Sequence, residues 1–138
     1  MAFTPMVLTA SMLQLNAGDL SAYTSKVEVV VEVDDKDVTT FGSLGWKNFL
    51  GGLKFGHLAI TWKNDVTVGD LDSILFPLFG TVITFEVRAV NTARSTSNPA
   101  YTGSVLVKTL TPISGSVGDV NEQSVTFPTS GAVTRLTA

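Results

Sequence analysis

The 138-residue chain has no cysteine and one histidine, His57. Without cysteine there is no disulfide framework, no thiolate nucleophile and no thiolate metal site. A single histidine cannot make a two-histidine metal site. As a general base it would need an orienting carboxylate and a nucleophile. Its sequence neighbours are Gly56 and Leu58, so His57 reads as a packed or interfacial strand residue. Charge is scarce as well. Charged residues make up 15% of the chain and the net charge is −3, against roughly a quarter charged in ordinary domains. This argues against a protein that grips phosphates through basic patches. The glycines at 42, 45, 51 and 52 form neither a Gly-x-Gly-x-x-Gly nor a Walker pattern. Asp34, Asp35 and Asp37 lack the glycine and closing glutamate of a calcium loop and read as a solvated turn. No apolar run is long enough to cross a membrane as a helix. Met1 to Pro5 has no basic segment of the kind that opens a signal peptide. The expectation is a non-enzymatic protein with no catalytic residue, metal, cofactor or membrane anchor, made in the cytoplasm.

What is present is strand-forming sequence. Apolar residues reach 44%, and Val- and Thr-rich segments recur between Gly, Pro, Asn and Asp clusters. The length suits one domain, residues 1–138. Within residues 1–18, Pro5 to Leu15 is an N-terminal arm or a first strand. Lys26 to Val33 alternates: Val27, Val29, Val31 and Val33 share one face, and Lys26, Glu28, Val30 and Glu32 the other. Residues 38–53 form a glycine-rich loop that carries Phe41, Trp46 and Phe49. Phe55 to Lys63 is a strand with Phe55, Leu58, Ile60 and Trp62 as its apolar residues. One short helix is expected at about 69–79, with Leu71, Ile74, Leu75 and Leu78 as an apolar stripe and Pro77 bending its end. Strands follow at 81–90 and 101–110, separated by a polar link at 91–99 that is expected to be mobile. A second flexible link, 112–119, precedes a closing hairpin of 121–127 and 132–136 around Pro128 to Gly131. The fold class is all-β: a β-sandwich or part-barrel of antiparallel strands with one short flanking α-helix, a long loop and terminal arms.

An exterior this poor in charge suits a subunit covered by neighbours, since obligate interfaces are depleted of charge. It equally suits a monomeric β-domain coated in Thr and Ser. The aromatics of the 38–53 loop either plug their own core or dock on a neighbouring subunit.

The order of features resembles the tail-tube proteins of long-tailed phages, particularly those of actinobacteria, from about Asp19 to Thr137. The matching elements are Asp19-Leu20-Ser21-Ala22-Tyr23, the Val/Glu strand and Asp37-Val38-Thr39-Thr40-Phe41-Gly42. Gly51-Gly52-Leu53-Lys54 and the Pro-containing helix come next, then Asn98-Pro99-Ala100-Tyr101-Thr102-Gly103. The ending, Gly118-Asp119 and Val125 to Arg135, completes the likeness. The resemblance implies six-fold rings of identical subunits stacked into a hollow tube that guides the genome into the host. It implies the long loop as the ring-to-ring contact, with Phe41, Trp46 and Phe49 as anchors. Implied partners are a tape-measure protein, chaperones, and the tail-tip and tail-terminator proteins, with phage DNA passing through without specific binding. The implied location is the virion tail.

Here the polar face of the Lys26 to Val33 strand acquires a use. DNA carries one negative charge per roughly 1.7 Å of axis, and a carboxylate-lined wall repels it. Glu28 and Glu32 are the first candidates for the lumen, with Glu86 and Glu122 behind them; the other reading of that face is plain solvent. Two further classes compete: another virion β-protein, such as a capsid decoration or tail-terminator subunit, and a carbohydrate- or peptide-binding sandwich that would expose Trp46 or Trp62 in a polar pocket.

Overall fold

A computed structural model describes residues 3–138, and it is all-β with two antiparallel sheets. Eight strands run in chain order as β1 (Met12–Leu15), β2 (Gly18–Asp19), β3 (Thr24–Asp37), β4 (Phe49–Lys63), β5 (Val82–Arg88), β6 (Ala100–Leu106), β7 (Glu122–Pro128) and β8 (Thr134–Leu136). The five-stranded sheet has the order β2-β1-β5-β6-β8, and the three-stranded sheet β3-β4-β7.

Period-2 alternation decides which residues meet between the sheets. Leu58, Ile60 and Trp62 of β4 and Val125 and Phe127 of β7 are buried on one side. Leu13 and Leu15 of β1, Ile83, Phe85 and Val87 of β5 and Val105 of β6 are buried on the other. Trp62 and Phe127 form the centre, with ring centroids 6.1 Å apart and planes tilted by 51°, a favourable aromatic geometry. The Trp62 indole N–H has no acceptor among the described residues. That loss, about 1–3 kcal/mol, is offset by the area the ring buries.

One open end of the sandwich is closed by a short helix, α1 (Leu71–Leu75), which passes directly into a 3-10 turn at Phe76–Leu78. Pro77 is the reason for the change of helix type: it lacks the N–H that an α-helix interior needs but is tolerated at the start of the turn. Leu71 and Leu75 are buried and Leu78 packs against the core, whereas Ile74 faces outward. The helix is therefore shorter than 69–79, and its stripe omits Ile74. Gly80, at φ 82°, turns the chain back into β5. Tyr23, in the 3-10 turn that leads into β3, is tied to this end through a 2.8 Å hydrogen bond from its hydroxyl to Asp70. The same hydrogen bond to the carboxylate raises the pKa of the tyrosine.

Three expectations need correcting. The last two strands are not a hairpin: β7 pairs with β4 and β8 with β6, so residues 128–131 cross from one sheet to the other. Pro128 favours this, because it cannot continue a strand as a donor. The 91–99 link is not loose. The Asn98 side chain accepts from Val90 N–H and donates to the carbonyls of Val90, Thr92 and Ala93, an Asx-type clamp. Phe55 belongs to the outer face with His57, since residues 55 and 57 share a side of β4. The N-terminal stretch divides: Met12–Leu15 is strand paired to β5, while residues 3–10 are exposed and carry no strand.

Candidate self-assembly surface

The two longest strands outrun the core that supports them. In β4, Gly56, Leu58, Ile60 and Trp62 are buried, but every residue from Phe49 to Phe55 is exposed. In β3 no residue is fully buried, and from Val31 onward only Asp34 is even half-buried. Pairing nevertheless continues from Val31↔Gly56 to Asp37↔Phe49, interrupted by one bulge between Val33 and Asp35. The result is a two-stranded arm about 20 Å long at the extended rise per residue, with no second layer beneath it. Its base is marked by Gly56, where an added Cβ would lie 2.2 Å from the Val30 carbonyl oxygen. Only glycine lets the two backbones come this close.

The loop itself is residues 38–48, since Phe49 to Leu53 are paired strand. It is ordered by its own hydrogen bonds. Val38 N–H donates to Asn48 O at 2.9 Å, Asn48 N–H to Thr39 Oγ1 at 2.9 Å, and Asn48 Nδ2 to Ser43 Oγ at 2.8 Å. Thr40 and Ser43 cap the 3-10 turn reciprocally. Leu44 and Gly45 take positive φ, 54° and 89°, reversing the chain. Around these internal hydrogen bonds the tip presents apolar side chains outward: Phe41 is fully exposed, Trp46 78% and Leu44 85%. Phe49, half exposed, stands on the arm opposite Asp37. Along the arm Val31, Val33, Leu50, Leu53 and Phe55 are exposed too, with Phe55 on the face of Glu32 and Val31 and Val33 on the other. At the arm's base an open groove of about 710 Å³ lies between Val31, Val33 and Phe55 and the crossing chain at Ala132 and Val133.

The four glutamates singled out for a channel wall do not share one surface. Glu28, Glu32 and Glu122 lie on the outer face of the three-stranded sheet, opposite Ala59, Phe55 and Lys63 respectively. Glu122 is paired with Lys63, and Lys26 shares the face across from Thr61. Around them are Thr61 and Ser124, whose hydroxyls are 2.9 Å apart, and Thr126. Glu86 lies on the far side of the molecule, on the outer face of the five-stranded sheet between Gln14 and Thr102. It is only 7% exposed and is held by two arginines. Arg88 Nε donates at 2.6 Å and the Arg94 guanidinium also donates. The Arg94 hydrogen bond, helped by Arg88 and opposed by burial, keeps the carboxyl below the ordinary range. Glu86 is a structural ion-pair centre that fixes the 91–99 link; it cannot line a channel together with the other three.

The remaining candidates for chemistry are placed as follows. His57 lies between Val30 and Pro128 across its two neighbouring strands, neither of which is a carboxylate or a nucleophile. Among the described residues, no group of three His, Cys, Asp or Glu side chains is arranged to hold a metal ion, and no helix is long and apolar enough to cross a membrane. Trp62 is fully buried, which removes it as a sugar platform.

Comparison with known proteins bears on the fold. No family model matches the chain, and no curated protein matches it. Among solved structures, a chain from the virion of a native gene transfer agent particle superposes with a TM-score of 0.68. The match covers 91% of this chain and 94% of that one at 17% sequence identity. The two share a fold over nearly their whole lengths.

The exposed arm was only partly readable from sequence. Phe41, Trp46 and Phe49 stood out as aromatics among glycines. Val31, Val33 and Phe55 did not, because strand alternation gives the same signal whether or not a second sheet lies beneath. The Gly51-Gly52 pair was the available clue: Gly51 lies over Val33, and Gly52 over Asp34 and Lys36, in a ribbon with little side-chain packing to keep.

Proposed function

We propose that this chain is a structural virion subunit that self-assembles into stacked hexameric rings, building a phage-type tail tube through which the genome reaches the host. One observation carries the reading: an ordered arm leaves the core with its aromatic residues turned to solvent. Large apolar side chains exposed together in this way are rare on monomeric proteins and mark an interaction site. Partners of a tube subunit would be further copies of itself, the tape-measure protein, and the tail-tip and tail-terminator proteins.

The shared fold with a chain of a gene transfer agent virion supports the broader part of the reading. The unpaired edge of β3 supports the narrower part, because a fourteen-residue edge strand is a template for pairing with a neighbour. In such a ring the outer face of the three-stranded sheet, with Glu28 and Glu32, would line the channel. Its hydroxyl-rich surface is wettable and has three carboxylates against two ammonium groups.

Negative-stain microscopy of the purified protein tests the reading. Tubes or stacked rings are expected, and a dispersed monomer at high concentration overturns it. Changing Phe41, Trp46 and Phe49 together to Ser is expected to abolish tubes; tubes of normal length would remove the arm from the ring-to-ring contact. In intact particles, Glu28→Lys with Glu32→Lys is expected to lower DNA delivery. Unchanged delivery would remove those two residues from the channel wall.

A further inference from the structure

We infer that the arm tip of one copy docks on the opposite end of a second copy, on an aromatic platform formed by Phe76 and Phe79. The inference rests on the tube reading above and names the surface that receives the arm.

β4 connects the two regions. It spans fifteen residues, about 50 Å at the extended rise, with the arm at its Phe49 end. At its Lys63 end the chain gathers α1 and the connecting links. Asn64 N–H donates to Asn121 O at 2.8 Å, Asn64 Nδ2 to Thr111 O at 3.0 Å, and Asp72 N–H to Asp65 O at 3.0 Å. On this end the 3-10 turn containing Pro77 directs Leu75 and Leu78 inward and leaves two rings outside. Phe76 and Phe79 stack on each other with centroids 6.4 Å apart and planes within 14°. They are 61% and 53% exposed. More than half of each ring is open to solvent, and Val66 and Val68, in the link that leads into α1, are also exposed.

Charge matches the two ends. The tip, residues 38–48, carries Lys47 and no acidic residue. The receiving segment, residues 64–79, carries Asp65, Asp70 and Asp72 and no Lys or Arg. Asp37 stands at the foot of the loop opposite Phe49, so the outermost charge of the tip is Lys47, and it faces an apolar surface of −3. That arrangement favours this docking and disfavours tip-to-tip or platform-to-platform contact, because like charges would meet there. Two different surfaces at opposite ends of one chain make a heterologous contact. Such a contact builds an open stack when the rotation between copies does not close into a ring.

Because the chain has no cysteine of its own, the contact can be read by cross-linking. A Gly42→Cys, Ser73→Cys double variant puts thiols beside Phe41 and one helical turn from Phe76 while keeping every aromatic and Lys47; an added Cβ at Gly42 meets nothing closer than Thr40 Oγ1 at 3.5 Å. After oxidation of the assembled protein, a non-reducing gel is expected to show a series of covalent multimers. Each single variant is expected to give no species beyond a dimer. Tubes visible in the same sample without that series overturn the docking and leave the tube reading standing. Absence of both tubes and multimers overturns both. As a second arm, Phe76→Ser with Phe79→Ser is expected to leave a folded protein whose tubes are lost. Tubes of normal length from that variant overturn the platform.

Discussion

Trp62 and Trp46 lie on the same hairpin and experience opposite environments. Trp62 has both sheets around it and is fully buried; Trp46, at the arm tip, has protein on one side only. The difference separates two ways in which apolar residues are used in one chain. In the body they hold the protomer together, and truncating them costs folding energy. In the arm they have no second layer to pack against, so they are expected to add little to protomer folding.

The contrast can be broken by measurement. The largest expected effect is at Trp62→Ala, which loses about 3–5 kcal/mol in chemical denaturation through cavity formation; a small loss would mean that the two sheets do not depend on this centre. Next is Glu86→Gln, which leaves Arg88 and Arg94 facing a neutral amide and is expected to cost about 2 kcal/mol at neutral pH. The carboxyl has its folded pKa lowered, so its contribution is full above the ordinary glutamate value of about 4.3. It fades as the pH falls through the folded pKa, and wild type and variant should converge in acid. A gap that persists at low pH would show that packing, not charge, holds the 91–99 link. The smallest effect is expected for the Ser triple at Phe41, Trp46 and Phe49. Its protomer should stay within about 0.5 kcal/mol of wild type for each exposed substitution, even as assembly fails. A large loss of protomer stability would place the arm in the folding unit and erase the distinction.

Much of the sandwich was legible because period-2 alternation is a local property. Leu58, Ile60 and Trp62 announce a buried face without knowledge of what covers them. The helix was legible as a stripe, but its length depended on whether Pro77 would end the α-helix or bend it. The path of the last two strands was not legible. Pro128 to Gly131 looks like any hairpin turn, and only the competition between β4 and β6 for partners sends β7 and β8 to different sheets. The outward turn of Val31 and Val33 was hidden for a related reason: their pattern is that of Val27 and Val29, and the missing layer is a fact of three dimensions. The Glu86 cluster was half visible, in that Glu86 and Arg88 share a strand face. Arg94 lay in a link that composition alone marks as loose.

The link between β7 and β8 has a mechanical meaning. Thr129 N–H is bonded to Gly56 O in one sheet and Ser130 N–H to Ser104 O in the other, so a single stretch of backbone rivets the two layers at the root of the arm. Tension applied through the tip would arrive at this rivet and spread into both layers at once. It would load rows of hydrogen bonds in shear, and they would not be peeled apart singly. The protomer would then yield by flexing its two-stranded projection before its body parted.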